Sequence, residues 1–455
     1  MTQYILRRLL IMIPTLLGVT VVVFAVMALS PGGLKASNLI TGQMSPEAKR
    51  ALETYYNQRY GLDAPLHEQY LRWLNNLSPI GFVEDAQSGE RQFTLWKPIN
   101  LGESLYYGRP VADLLMARVP ITVLLNVLSL PVIYALAIVM GVYAAKHSGG
   151  RFDRYSGGVM LGLWSMPTML AGILLIGFFA SDQYWHWFPV SGLSYRVALD
   201  MPFLPHWQSG TTALLFAACI IVSWSVAWGA MRLVRMSHRQ LAALVVGGVC
   251  TLLAAVSHGV AGEMWAVMVV TAGLFGLARL PQRIWRTVLC GLLLSLVTML
   301  VFRDGLFEGF VRGFLLDRLW HLVLPVLCLS YGGLAYLAKL TRSSVLENLG
   351  ADFTRTAQAK GLSEHDILWR HVFRNSLLPL ITVSASLVPG LLAGSIIVET
   401  LFSIEGMGKL AVEAVRGKDK ELVLSVTLIS GVLTLVSYLL ADICYAIADP
   451  RVSYD

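Results

Sequence analysis

ADFTRTAQAKGLSEHDILWRHVFRNSLLPLIT, residues 351–382, is a polar, basic island between two long apolar runs. Its charges stand at Asp352, Arg355, Lys360, Glu364, Asp366, Arg370 and Arg374, and small residues recur at Ala357, Ala359 and Gly361. The pattern predicts a helix, a glycine break at Gly361, and a second helix. That second helix starts at Ser363 as N-cap with Asp366 at the third helical position, and takes Leu362, Ile367 and Val372 as its apolar contacts. Small side chains beside a break let a foreign surface approach the backbone closely. An ordinary solvated loop is the alternative that pattern alone leaves open.

The island sits in a membrane chain. Of 455 residues, 56% are hydrophobic and only 14% charged, and the mean hydropathy is +0.63. About a quarter of a soluble domain is charged, and several runs here reach the roughly 20 apolar residues that cross a bilayer. The net charge of +7 is spread over short loops, which reads as membrane topology and not as a nucleic-acid surface. The five cysteines, Cys219, Cys250, Cys290, Cys328 and Cys444, lie inside apolar runs, so neither a disulfide nor a metal cluster is expected. No G-x-x-x-x-G-K-[ST] phosphate loop occurs, so the chain has no such device for ATP.

Arg7 and Arg8 precede an apolar run from Leu9 to Leu29. The run is too long for a signal-peptide core and lacks a cleavage pattern, which predicts an uncleaved first helix in residues 1–30 with a cytoplasmic N-terminus. Residues 31–119 form a polar segment, expected as a periplasmic domain. Within it Ser45-Pro46 opens one helical stretch, and Leu66, Tyr70 and Trp73-Leu74 share a face of another. Crossings are expected at Ile121–Ala144 and Ser156–Ala180, within residues 120–193, joined by a basic loop with Lys146, Arg151 and Arg154. The dipeptide Met166-Pro167 after Ser165 predicts a kink, lining a path or merely packing. Further crossings are expected at Leu319–Leu340, at Leu377–Thr400 with Pro389-Gly390 in its middle, and at Leu422–Ala446. Glu399 ends the second of these, facing a translocation path or marking the interface.

Several stretches resemble one family. RTAQAKGLSEHDILWRHVFRNSLLP is similar to the cytoplasmic loop of binding-protein-dependent ABC transporter permeases. His371-Val372-Phe373-Arg374, with Leu378-Pro379 displaced, resembles the dipeptide/oligopeptide/nickel import class. LRRLLIMIPTLLGV near the start, Leu-Gly-x-Ser and Gly-Arg-Pro-Val within residues 101–111, FSIEGMGKLAVEAV at 402–415 and Asp449-Pro450-Arg451 also resemble that class. Two departures stand out. Pro31-Gly32-Gly33 replaces Pro-Gly-Asp-Pro, and Glu405 takes the place of a proline. Ile80–Lys97 has no family counterpart.

The larger departure is residues 194–317, where the family plan runs directly from near Pro189-Val190 to a sequence like Leu319–Pro325. Apolar runs fall at about 210–229, 241–256, 264–277 and 288–301. Arg232, Arg235 and Arg239 mark one joint and Arg279, Arg283 and Arg286 another, with His258 and Glu263 at the weakly acidic joint between. Positive-inside reasoning makes this an even number of insertions, so residues 318–455 keep their orientation.

The resemblance implies an all-α polytopic membrane protein with the type I ABC importer permease fold. It has six core transmembrane helices, about four inserted ones, and a periplasmic domain after the first helix. It also implies a bacterial inner-membrane permease subunit with both termini cytoplasmic, forming half of a path for peptides or a related small solute. Its partners would be membrane lipid, a second homologous permease, two ATPase subunits and an extracytoplasmic substrate-binding protein. No cofactor is expected on this chain, with ATP and Mg on the ATPase subunits. The coupling loop would be residues 341–376, acting through Ala357, Ala359, Lys360, Gly361, Leu362, Glu364 and Asp366. Path residues would be Ser165, Pro167, Pro389, Gly390 and Glu399. A permease-like scaffold or sensor without import is the alternative. A secondary transporter would need intramembrane charge relays, and an enzyme a positioned nucleophile and base. Neither pattern is present.

Overall fold

The computed structural model describes residues 2–30, 45–60, 62–84, 91–207, 310–311, 313–448 and scattered positions within 214–229 and 290–294. The chain divides into two compact units, residues 1–193 with 321–455, and residues 194–320. Most of the four inserted runs, His258, Glu263, Pro31-Gly32-Gly33 and Asp449-Pro450-Arg451 lie outside the described residues.

The first unit is helical. It contains α1 (Thr2–Leu29), α2 (Pro46–Tyr60), α3 (Leu66–Leu77), α4 (Val111–Lys146), α5 (Arg151–Ser165) and α6 (Thr168–Phe179). From the last residues of the second unit onward come α7 (Gly313–Leu349), α8 (Asp352–Ala359), α9 (Phe373–Leu401), α10 (Met407–Arg416) and α11 (Lys420–Ala448). β1 (Gly81–Glu84) and β2 (Arg91–Thr94) form a hairpin, with Phe82 opposite Phe93. Of the second unit, the described parts are chiefly a 3-10 turn, Arg196–Asp200, and the antiparallel two-residue strands β3 (His206–Trp207) and β4 (Phe310–Val311).

Four helices, α1, α4, α7 and α11, are long and apolar enough to cross a membrane, and two bent pairs bring the number to six. The crossings are longer than the apolar runs suggest. α4 has 36 residues and α7 has 37, because amphipathic turns extend each beyond its hydrocarbon-depth core. Packing within the bundle is dense: Leu125, Ile133, Leu324, Leu337 and Leu380 are almost wholly buried together. Outward, α1 exposes Leu10, Val22 and Val26. Lipid tails are as apolar as these side chains, so close packing and interhelical hydrogen bonds hold the helices together, more than removal from water does.

The third crossing is not one kinked helix. α5 and α6 meet at 104°, at Met166-Pro167. Proline disfavours helical geometry at the residue before it, and here Met166 is extended at φ −82°, ψ 126°. α6, with 12 residues, is about 18 Å long, short of the roughly 30 Å hydrocarbon core. The break is tolerated because α7 covers it: Tyr331 donates a hydrogen bond to the Met166 carbonyl at 2.7 Å. Pro389 bends α9 more gently, by 41°.

Contacts fix the direction of the helices within this unit. The start of α4 (Val111, Leu114) packs against the start of α11 (Leu422, Val426). The end of α4 reaches the loop through Lys146 and Glu364, 3.4 Å apart. The end of α11 reaches the start of α1 through Asp442 and Arg8, 2.8 Å apart. α4 and α11 therefore run the same way, and the loop lies at the same end as the start of α1 and the end of α11.

Candidate functional site

The loop after α7 is two-faced. α8 is followed by Lys360 and by Gly361 at φ +75°, in the left-handed region that glycine enters without strain. The amide of Leu362 then closes onto the Ala357 carbonyl at 3.3 Å. Ser363 caps the next turn: its Oγ accepts from the Asp366 amide at 3.1 Å and donates to the Asp366 carboxylate at 2.6 Å. The helical turn Glu364–Asp366 passes into a π-helical turn, Ile367–Val372, and then into α9 without interruption. The cap and the break stand as the residue pattern predicts; the π turn had no signal in it.

One face of this unit is packed against the bundle. Ala357, Ile367, Leu368 and Val372 bury against Val142 and Ala145 of α4 and Val345 of α7. Thr354 is buried as well, its Oγ1 donating to the Asn348 carbonyl. Two expectations need correction here. Ala357 is small because α8 must lie close to its own bundle, and it is not open to a partner. Leu362, expected among the buried contacts of the second helix, is 41% exposed, because the left-handed turn at Gly361 swings it outward. It joins Phe353 (38%) and Trp369 (40%) on the outer face, where Ala359, Lys360 and Gly361 are exposed too.

The opposite end of the bundle is organised around buried carboxylates. Glu399 was expected facing a path or marking the interface, but it has no exposed surface. Its Oε1 accepts from Thr122 Oγ1 at 2.6 Å, and its Oε2 from the Lys409 amide at 2.9 Å. Thr122 in turn accepts from the Met407 amide at 2.8 Å. The side chain thus occupies the N-terminus of α10, where amides lack helical partners and the helix dipole favours an anion. This explains the glycines of the preceding turn. A Cβ at Gly406 would stand 2.3 Å from the Glu399 carboxyl carbon, and one at Gly408 would stand 2.7 Å from the Ile396 backbone. Thr122 was missed by sequence reasoning; the Glu399 to Gly406-x-Gly408 spacing was its only signal.

Asp419 does the same for α11. It accepts from the Leu422 amide, and also from Ser104 Oγ at 2.6 Å and the Tyr106 amide at 3.1 Å. The Leu-Gly-x-Ser piece is thereby pinned to the bundle. Tyr107 donates to Glu413, and burial together with that bond pushes its phenol up to about 12. Glu405, in the proline's place, pairs with Arg118 of α4 and with Lys409 at 2.6 Å.

The remaining residues expected along a path do not converge with Glu399. Ser165 and Pro167 are exposed at the α5–α6 break, and the Ser165 hydroxyl donates back to the Leu161 carbonyl at 2.9 Å. Gly390 is open at the bend of α9, beside half-buried Pro389. Among the described residues, no group of His, Cys, Asp or Glu side chains is arranged to hold a metal.

The molecule is thus a helical bundle with a two-faced loop at one end and anchored short helices at the other. Residues 247–454 match the family of binding-protein-dependent transport system inner membrane components, and residues 1–126 match that family's N-terminal membrane component. The chain belongs to this family, and it is a multi-pass inner-membrane permease subunit. It is 28% identical to the oligopeptide transport system permease protein AppB of Bacillus subtilis, over the whole of both chains. It is 28% identical to the dipeptide transport system permease protein DppB of Escherichia coli, over all of this chain and 99% of that one. Identity to the peptidoglycan transport system permease protein YejB of Agrobacterium fabrum is 25%, again over all of this chain and 99% of that one.

Proposed function

We propose that this permease forms half of a path for peptides, and that residues 341–376 take up the motion of an ATPase subunit. The single observation that carries the coupling is the division of the loop's two faces. Phe353, Leu362 and Trp369 are each about 40% exposed on the outer side, while Ala357, Ile367, Leu368 and Val372 pack on α4 and α7 and lead into α9. A partner closing on the outer face would push directly on three helices of the bundle. Lys360, Glu364 and Asp366 form the polar rim of that contact, and Ala359 with Gly361 leaves room for close approach. With the loop facing the cytoplasm, both chain termini lie there as well, in keeping with the basic residues Lys146, Arg151 and Arg154 at that end.

The path needs a second permease to close it, which the exposed positions at the α5–α6 break and at Gly390 leave room for. ATP and Mg would be bound by the ATPase subunits, and substrate delivered by an extracytoplasmic binding protein. The peptide assignment follows the names of the relatives.

The test is the double substitution Phe353→Asp and Leu362→Asp, both at exposed positions that the bundle does not need. Co-purification of ATPase subunits with this chain should fall at least tenfold while the chain still inserts and pairs with its permease partner. Undiminished co-purification and peptide uptake would refute the coupling role. Full ATPase binding without any peptide uptake by the native complex would favour the scaffold or sensor reading.

A further inference from the structure

At the loop end of the bundle a cavity of about 380 Å³ opens between α4, α5 and α7. Its volume is that of a small-molecule site. α4 and α7 cross tightly at one edge of it: a Cβ on Gly141 would stand 2.5 Å from the Thr341 side chain. Arg154, Lys339 and Arg342 line the cavity, and Asp153 is the carboxylate among the lining residues. Asp153 is spoken for. It takes two hydrogen bonds from Arg342, that from Nη2 at 2.7 Å, and a third from the Gly149 amide at 2.9 Å. This fixes Arg342 as a positioned cation. Among the described residues, Arg154 and Lys339 have no carboxylate within ion-pair distance. Three cations therefore face one already neutralised anion, with the Ser156 hydroxyl beside them.

On the same helices, apolar residues flanking the lining ones in sequence are exposed. Tyr155 and Val159, one turn apart on α5, are 74% and 58% exposed. Val139 on α4 is 63% exposed. A ligand seated here meets positive charge on helices whose outward-facing side chains are apolar. Anionic phospholipid has that chemistry, and basic pockets between transmembrane helices at the cytoplasmic side are where such headgroups bind.

We infer that this cavity binds the phosphate of an anionic phospholipid. Arg154 and Lys339 supply the free charges, Arg342 holds the wall, and the acyl chains extend over the apolar outer surface of these helices. The lipid bridges α4, α5 and α7 at the base of the loop, and so stiffens the helices against which α8 is packed.

The experiment uses the full chain purified with its partner subunits. Phosphatidylglycerol or phosphatidylethanolamine is added and retained lipid counted by native mass spectrometry, with and without millimolar inorganic phosphate. Phosphatidylglycerol should be retained in preference to phosphatidylethanolamine. Arg154→Gln and Lys339→Gln should each weaken retention about fivefold, and the double variant about 30-fold, from roughly 1 kcal/mol per basic side chain near an anionic lipid surface. Arg342 is left in place because Asp153 depends on it; if the double variant does not assemble, the single variants decide. Equal retention of the two lipids, or unchanged retention in both single variants, would overturn the inference. Displacement of the lipid by phosphate alone would reassign the cavity to a free anion.

Discussion

The two ends of the bundle solve opposite problems. At the α10 end, each carboxylate described above is satisfied by the same chain: Glu399 by Thr122 and the Lys409 amide, Asp419 by Ser104, Tyr106 and Leu422. At the loop end, apolar side chains at Phe353, Leu362 and Trp369 stand uncovered, and Arg154 and Lys339 lack acidic partners among the described residues. One end is complete within a single chain. The other leaves apolar and basic side chains partly exposed. Buried charge is costly unless paired, so the end that fixes the fold must carry its own partners, whereas a surface built for other molecules leaves its groups available.

This contrast breaks most readily at Glu399. Glu399→Ala leaves the Thr122 hydroxyl and the Lys409 amide buried without their acceptor, and should cost about 3 kcal/mol or more, since uncompensated buried polar groups cost 1–3 kcal/mol each. Loss of most of the assembled complex, or a sharply lower thermal midpoint in lipid nanodiscs, is the expected reading. A midpoint within error of the wild type would mean that the carboxylate is not the keystone of that end.

Gly406→Ala sharpens the same point. The new methyl meets the Glu399 carboxyl, which has no room to retreat, and overpacking of this kind costs typically 1–3 kcal/mol. The expected outcome is a lower midpoint that Glu399→Gln does not rescue; wild-type stability would show that the turn has slack.

At the loop end, Gly361→Val should cost roughly 1–2 kcal/mol of local stability, the penalty of a left-handed conformation for a residue with a Cβ. Because the site is exposed, global stability should change little and transport-coupled ATPase activity should fall. Equal loss of both would erase the distinction between the ends.

Smaller still is Glu405→Pro, which restores the residue that the resemblance leads one to expect. It removes the pairs with Arg118 and Lys409, in which the Glu405 side chain is half exposed. A midpoint shift equivalent to less than about 1 kcal/mol is expected, as for other exposed pairs. A large loss would mark this pair as part of the outer anchor.

The smallest effect lies at Tyr107. Its phenol binds its proton more tightly in the folded chain, with its pKa pushed up to about 12. Its contribution is therefore full below pH 10 and lost as pH rises from 10 towards 12. The difference in midpoint between wild type and Tyr107→Phe should be constant below pH 10 and shrink above it. Parallel curves throughout would remove the Tyr107–Glu413 bond from the account.

Much of this was legible in the residues. Apolar runs announced the crossings, and Ser363 with Asp366 announced the cap, because both are local properties of the chain. The 104° turn at Met166-Pro167 was legible only as a kink, since proline disfavours the helix before it without choosing whether the chain bends or breaks; Tyr331, far along the sequence, covers the break. Ala357 read as an open small residue because a helix face shows its period in sequence but not its neighbour. Glu399 read as a path residue or an interface marker for the same reason. Its partners at Thr122 and Lys409 lie on other elements, and nothing in their own surroundings announces them.

By itself, then, the sequence determined the class of protein, the crossings and the loop that breaks at Gly361, since hydropathy, capping and glycine chemistry act within a few residues of chain. Only the tertiary structure decided which face of that loop is buried, that Glu399 is an anchor and not a path residue, and that three cations converge on one cavity. Those are facts about distance in space, and helices brought side by side set them.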